Sequence, residues 1–83
     1  MSYQLTAHTQ ESLSKRGIRL EWLEQVLRQP QLIQVDVMDD TLEHRLRRID
    51  EFDGRVLRVI VNPQVEPIRV ITVFFDRAMR GKL

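Results

Sequence analysis

Leu20-Glu21-Trp22-Leu23-Glu24-Gln25-Val26-Leu27-Arg28-Gln29-Pro30-Gln31-Leu32-Ile33-Gln34-Val35 is the stretch on which the fold turns. Up to Arg28 its apolar residues, Leu20, Leu23 and Leu27 with Trp22 and Val26, recur at the spacing of one helix face. Glu24 and Arg28 form an i,i+4 pair in the favourable order. Ile18 can staple onto Leu23 across an N-cap at Arg19. Pro30 stops the helix, because the residue before a proline disfavours helical angles. Beyond it the period shortens toward the alternation of a strand.

Working toward the N-terminus, Thr6 is a helix N-cap and Gly17 a C′ residue. They bound a helix over residues 7–16, with Lys15 and Arg16 in its last turn, where positive charge suits the dipole. Leu13 is its only large apolar residue, so core packing alone does not explain this helix. A short strand at residues 3–5 is a further candidate.

Toward the C-terminus, strands are expected over residues 32–37, 42–49, 55–61 and 68–75. Asp53-Gly54 signals a hairpin, and Asn62-Pro63 and Pro67 bracket the last turn. Leu42, His44 and Leu46 share one parity and Ile49 the other, which a bulge between Leu46 and Ile49 would reconcile. The expected fold is α+β. Two N-terminal helices (about 7–29) pack on one face of a four-stranded antiparallel meander (about 31–75), followed by a basic tail (76–83), all in one domain, 1–83. Leu57, Val59, Val61, Ile71, Val73 and Phe75 should face the helices. Arg58, Thr72, Phe74 and one of Arg45, Arg47 and Arg48 should face away.

The chain has 83 residues, no cysteine and 30% charged residues. That excludes a disulfide framework and a Cys-based zinc site. No apolar run approaches a membrane span of about 20 residues, and a secretory leader is not evident, so a cytoplasmic domain with no membrane partner is expected. The net charge of +1 hides an asymmetry. Residues 1–43 carry four basic and seven acidic side chains, and residues 44–83 carry nine basic and five acidic. Arginine dominates the basic half, and its fork geometry suits phosphate and carboxylate.

Three groups of residues can carry chemistry. Arginines gathered on the face away from the helices could hold a phosphodiester and stabilise its transition state, or merely solvate that face. His8, with Ser12, Lys15 and Arg16 on or near one side of the first helix, could act as acid or base, or sit half-buried in a hydrogen bond. His44 has no evident companion. Arg77, Arg80 and Lys82 in the tail could bind nucleic-acid phosphates, or be a solubilising end with Met79 folded back onto the sheet. Asp36, Asp39 and Asp40 lack a calcium-loop pattern, and neither a metal nor an organic cofactor is expected.

Leu5-Thr6-Ala7-His8, Arg16-Gly17-Ile18, Trp22-Leu23-Glu24-Gln25-Val26-Leu27 and Pro30, followed by Arg45-Leu46-Arg47, Gly54-Arg55-Val56-Leu57-Arg58-Val59 and Val70-Ile71-Thr72-Val73-Phe74-Phe75-Asp76, together resemble an uncharacterised bacterial family. It is catalogued as a domain of unknown function and grouped with RelE-like and barnase-like small toxins. The resemblance implies helices ahead of an antiparallel sheet. It also implies a metal-independent ribonuclease, or a relative without the activity. His8, Arg16, Arg45 and Thr72 match the family's helix-one histidine and arginine, second-strand arginine and last-strand hydroxyl. Arg47, Arg58, Arg77, Arg80 and Lys82 are the accompanying nucleic-acid-binding candidates. Arg19 and Leu46 depart from the pattern, the latter where relatives often carry an aromatic residue. The partners expected are RNA or an antitoxin-like protein, with a homodimer through a sheet edge. The alternative is a non-catalytic protein-interaction module.

Overall fold

The computed structural model describes residues 2–83. The order is β1 (Tyr3–Leu5), α1 (Ala7–Arg16), α2 (Leu20–Arg28), β2 (Leu32–Val35), β3 (Glu43–Ile49), β4 (Arg55–Asn62) and β5 (Ile68–Phe75). Single 3-10 turns follow β3 (Asp50–Phe52) and β5 (Arg77–Met79). No helix among the described residues is long and apolar enough to cross a membrane.

The helix signals act as expected. The Thr6 hydroxyl accepts from the Thr9 N–H, and Gly17 closes α1 in the left-handed region at φ 63°. Helix α2 ends at Arg28, ahead of Pro30. Its Leu23, Val26 and Leu27 are buried with Leu57, Val59 and Val61 of β4 and Val73 of β5. Each such side chain contributes about 1.5–3 kcal/mol on leaving water. Trp22 stacks on Phe52 at 5.0 Å between centroids, and Phe75 meets Trp22 edge-on at 6.1 Å.

Four strands form the expected antiparallel meander, but the sheet has five and is mixed, in the order β1-β5-β4-β3-β2. Strand β1 lies parallel to β5, pairing Tyr3 with Ile68 and Leu5 with Val70. The two helices sit over different strands. Helix α2 lies over β3 and β4, whereas α1 packs against β5 and β1. The reason is its side chains: only Leu13 reaches the apolar core, and its buried residues are Thr9 and Ser12.

Two register expectations are also corrected. No bulge separates Leu46 from Ile49, since β3 pairs without a break from Glu43↔Val61 to Ile49↔Arg55. Both residues are fully buried because both faces of β3 are covered. Ile49 joins the core under α2, and Leu46, opposite Arg58, lies on the other face. The irregularity falls in β5, where Ile60 pairs with Thr72 but Val61 with Val70. Ile71 is the extra residue, so Val70 takes the core position expected of Ile71.

Candidate functional site

Alternation along β3 decides which arginines face which way. Arg45 and Arg47 sit opposite Val59 and Leu57 and face α2. There they donate to carbonyls at its C-terminal end, Arg45 to Leu27 O at 3.1 Å and Arg47 to Gln29 O at 2.8 Å. These are the carbonyls that a helix end leaves without partners, at the negative pole of its dipole. His44, Leu46 and Arg48 face the other way, with Arg58.

On that second face four polar side chains form a continuous relay. Asp36 Oδ1 meets His44 Nε2 at 2.6 Å, and Arg58 bonds His44 Nδ1 at 2.7 Å. Arg58 also pairs with Asp76 Oδ2 at 2.7 Å. A guanidinium only donates, so Nδ1 accepts and the ring proton sits on Nε2, facing the Asp36 carboxylate. The His44 hydrogen bond, reinforced by the Met38 and Asp39 backbone N–H groups, holds the Asp36 carboxyl below its ordinary 3.8.

Asp76 has a second task. Its Oδ1 accepts from the Ala78 N–H and starts the 3-10 turn Arg77–Met79. The tail is thereby folded back rather than frayed. Arg48 holds its end through Leu83 O at 2.8 Å, and Arg80 donates to Asp53 O at 3.0 Å. Between the tail and the ends of β4 and β5 lies a cleft of about 310 Å³, lined by Arg55, Val56, Phe75, Asp76, Arg77 and Arg80. The Arg55 guanidinium lies 4.7 Å above the Phe52 ring. With Asp76 paired to Arg58, the cleft is lined by three arginines beside the apolar Val56 and Phe75.

Of the residues expected to share a catalytic site, His8 and Thr72 come together, whereas Arg16 and Arg45 bond separate carbonyls. His8 Nε2 and Thr72 Oγ1 meet at 3.3 Å in an exposed contact. Arg16, two helical turns further along α1, donates to Val73 O at 3.1 Å. Arg45 is on the α2 side of the sheet, paired with Glu43 as well as Leu27. Arg47 accompanies it there. Arg58 is the expected arginine on the second face, but its donors go to His44 and Asp76. Arg77 and Arg80 come together in the cleft, and Lys82 is exposed beside them in sequence.

Sequence reasoning passed over His44, Asp36 and Asp76, which the relay unites, and Arg55, which completes the cleft. One signal was available: with Gln34 opposite His44, Asp36 two residues on lies diagonal to His44 on the same face of the hairpin, within reach of long side chains. No curated protein and no solved structure matches the chain. A family described as a domain of unknown function, DUF4258, matches residues 5–75. That span covers α1 through β5 and stops just before Asp76, so the tail side of the cleft lies beyond it. With 71 of 83 residues matched, from 5 to 75, the chain belongs to the DUF4258 family.

Proposed function

We propose that this domain binds RNA, seating a backbone phosphate among Arg55, Arg77 and Arg80 with a base against Phe75. The observation that carries the reading is that three arginines line one cleft together with Val56 and Phe75. Arg55 and Arg77 are both exposed, and guanidinium forks match phosphate oxygens. Aromatic faces accept bases of any sequence. The domain is thus read as a member of the RelE-like class that keeps RNA affinity. Strand scission has weaker support, because Arg16 and Arg45 are bonded to backbone carbonyls far apart in the fold.

The test is binding of a labelled single-stranded RNA across a salt series. Simultaneous Arg55→Ala, Arg77→Ala and Arg80→Ala should lower affinity at least tenfold at low salt. Loss of the one neutralised phosphate should flatten the log–log salt slope by about 0.7. An unchanged slope and affinity in the triple variant would remove the cleft from RNA binding. Cyclic 2′,3′-phosphate ends formed in EDTA, and lost in His8→Ala, would restore cleavage to the reading.

A further inference from the structure

Strand β2 is the outer strand of the sheet on the side away from β1. Three of its four side chains are exposed, the polar Gln34 and the apolar Ile33 at 52% and Val35 at 64%. From Gln29 to Val35 the chain carries no charge, and β2 itself contains no proline. Natural edge strands ordinarily carry lysine, proline or a bulge that discourages pairing, and β2 has none of these.

The backbone of this edge is also oriented. The Asp36 N–H bonds Leu42 O at 3.0 Å, in step with the pairing of Gln34 to His44 and Leu32 to Leu46. In an antiparallel ladder alternate residues point their N–H and C=O to the same neighbour. Leu32, Gln34 and Asp36 therefore bond β3, and Ile33 and Val35 aim both of their backbone groups outward.

We infer that β2 pairs with β2 of a second copy of this chain, antiparallel, about a twofold axis at Gln34. The outward groups are placed symmetrically about Gln34, so this register satisfies all four with their counterparts. Ile33 of each copy then lies beside Val35 of the other, on the face that carries Arg45 and Glu43. Continuing the register brings the exposed Val37 and Met38 over Gln31 and Pro30 of the second copy. The uncharged edge holds nothing to recruit a charged partner, and self-pairing is the isologous arrangement of a twofold dimer. The cleft lies at the β4–β5 ends and is left free, so this inference is independent of RNA binding.

The experiment combines sedimentation with cysteine cross-linking, which is clean because the chain has no cysteine. The wild-type chain should show concentration-dependent dimerisation. Val35→Lys should raise the dimer Kd more than tenfold while leaving Tm unchanged at concentrations where the wild type is monomeric, since Lys at 35 would lie beside Glu43. Under mild oxidation Gln34→Cys should cross-link, because facing residues of a non-hydrogen-bonded pair lie about 4.5 Å apart. Ile33→Cys should not, because its symmetry mate is offset by two residues, beyond the roughly 7 Å a disulfide spans. A wild-type chain monomeric at its highest soluble concentration overturns the inference. So does equal cross-linking at both positions, or a dimer indifferent to Val35→Lys. A wild-type monomer that instead captures an extended heterologous peptide on β2 overturns the second copy as its occupant.

Discussion

The sheet's two edges are finished in opposite ways. At the β5 edge, β1 pairs only as far as Val70, and α1 covers what remains. The Thr9 hydroxyl donates to Val70 O at 3.0 Å and Arg16 to Val73 O at 3.1 Å. Thr9 to Arg16 measures about 10 Å along a helix, and Val70 to Val73 about 10 Å along a strand, so the two bonds keep step. Thr6, which already accepts from the Thr9 N–H, completes the line by donating to Thr9 Oγ1 at 2.9 Å. At the β2 edge Ile33 and Val35 stay largely exposed. A weakly amphipathic helix is thus explained by the edge it closes. Its useful side chains are hydroxyls and a guanidinium, because an edge presents carbonyls rather than a hydrophobic face.

If that contrast is right, the closed edge should be the sensitive one. Thr9→Val keeps the shape but leaves Val70 O unbonded in a buried site, and should cost about 1–3 kcal/mol in urea unfolding. A loss no larger than that of an exposed substitution, about 0.5 kcal/mol, would break the comparison. Arg16→Met removes one part-buried bond to the same edge and should cost about 0.5–1.5 kcal/mol. Val35→Lys, at the open edge, should stay within about 0.5 kcal/mol when measured below the dimer Kd. A larger loss would mean that β2 is sealed within the monomer.

Extremes of pH should loosen the two edges separately. Tyr3 of β1 donates to Glu24 of α2 at 2.6 Å, and burial first, then that carboxylate, pushes the phenol up to about 12. A raised value gives stability that is complete below the ordinary 10.0 and lost as pH rises through about 12. Tyr3 is the only tyrosine, so tyrosinate absorbance reads it directly. The midpoint should drop toward 10.0 in Glu24→Gln without reaching it, because burial remains. At the open edge the sign reverses. Asp36, held below 3.8 chiefly by His44, contributes stability above that value, which is lost as pH falls through the lowered one. Its carboxyl resonance should titrate below 3.8 in the wild type and return upward in His44→Ala. This effect is the smallest of the set.

Much of the fold could be read along the chain. The α2 stripe, the Pro30 stop, the Thr6 and Gly17 caps and the Asp53-Gly54 hairpin each depend on neighbours within a few residues. The hairpin needs left-handed angles at both positions, and Asp53 and Gly54 adopt them at φ 58° and 68°. The candidate site was less legible. Arg77 and Arg80 were identified as basic, but their cleft exists only because Asp76 caps the tail and Arg48 anchors its end. His44 looked solitary because its companions come from β2, β4 and the chain beyond β5.

By itself, then, the sequence determined where helix gives way to sheet, which helix has an apolar stripe, and that the second half is basic. These follow from periodicity and from local backbone preferences. Tertiary structure alone decided that β1 adds a parallel strand and that β5 bulges at Ile71. It also sent Arg45 and Arg47 to α2 and Arg48 to the tail. Alternation says that neighbouring arginines point in opposite directions. It does not say what lies on either side, because a strand covered on both faces has buried residues of both parities.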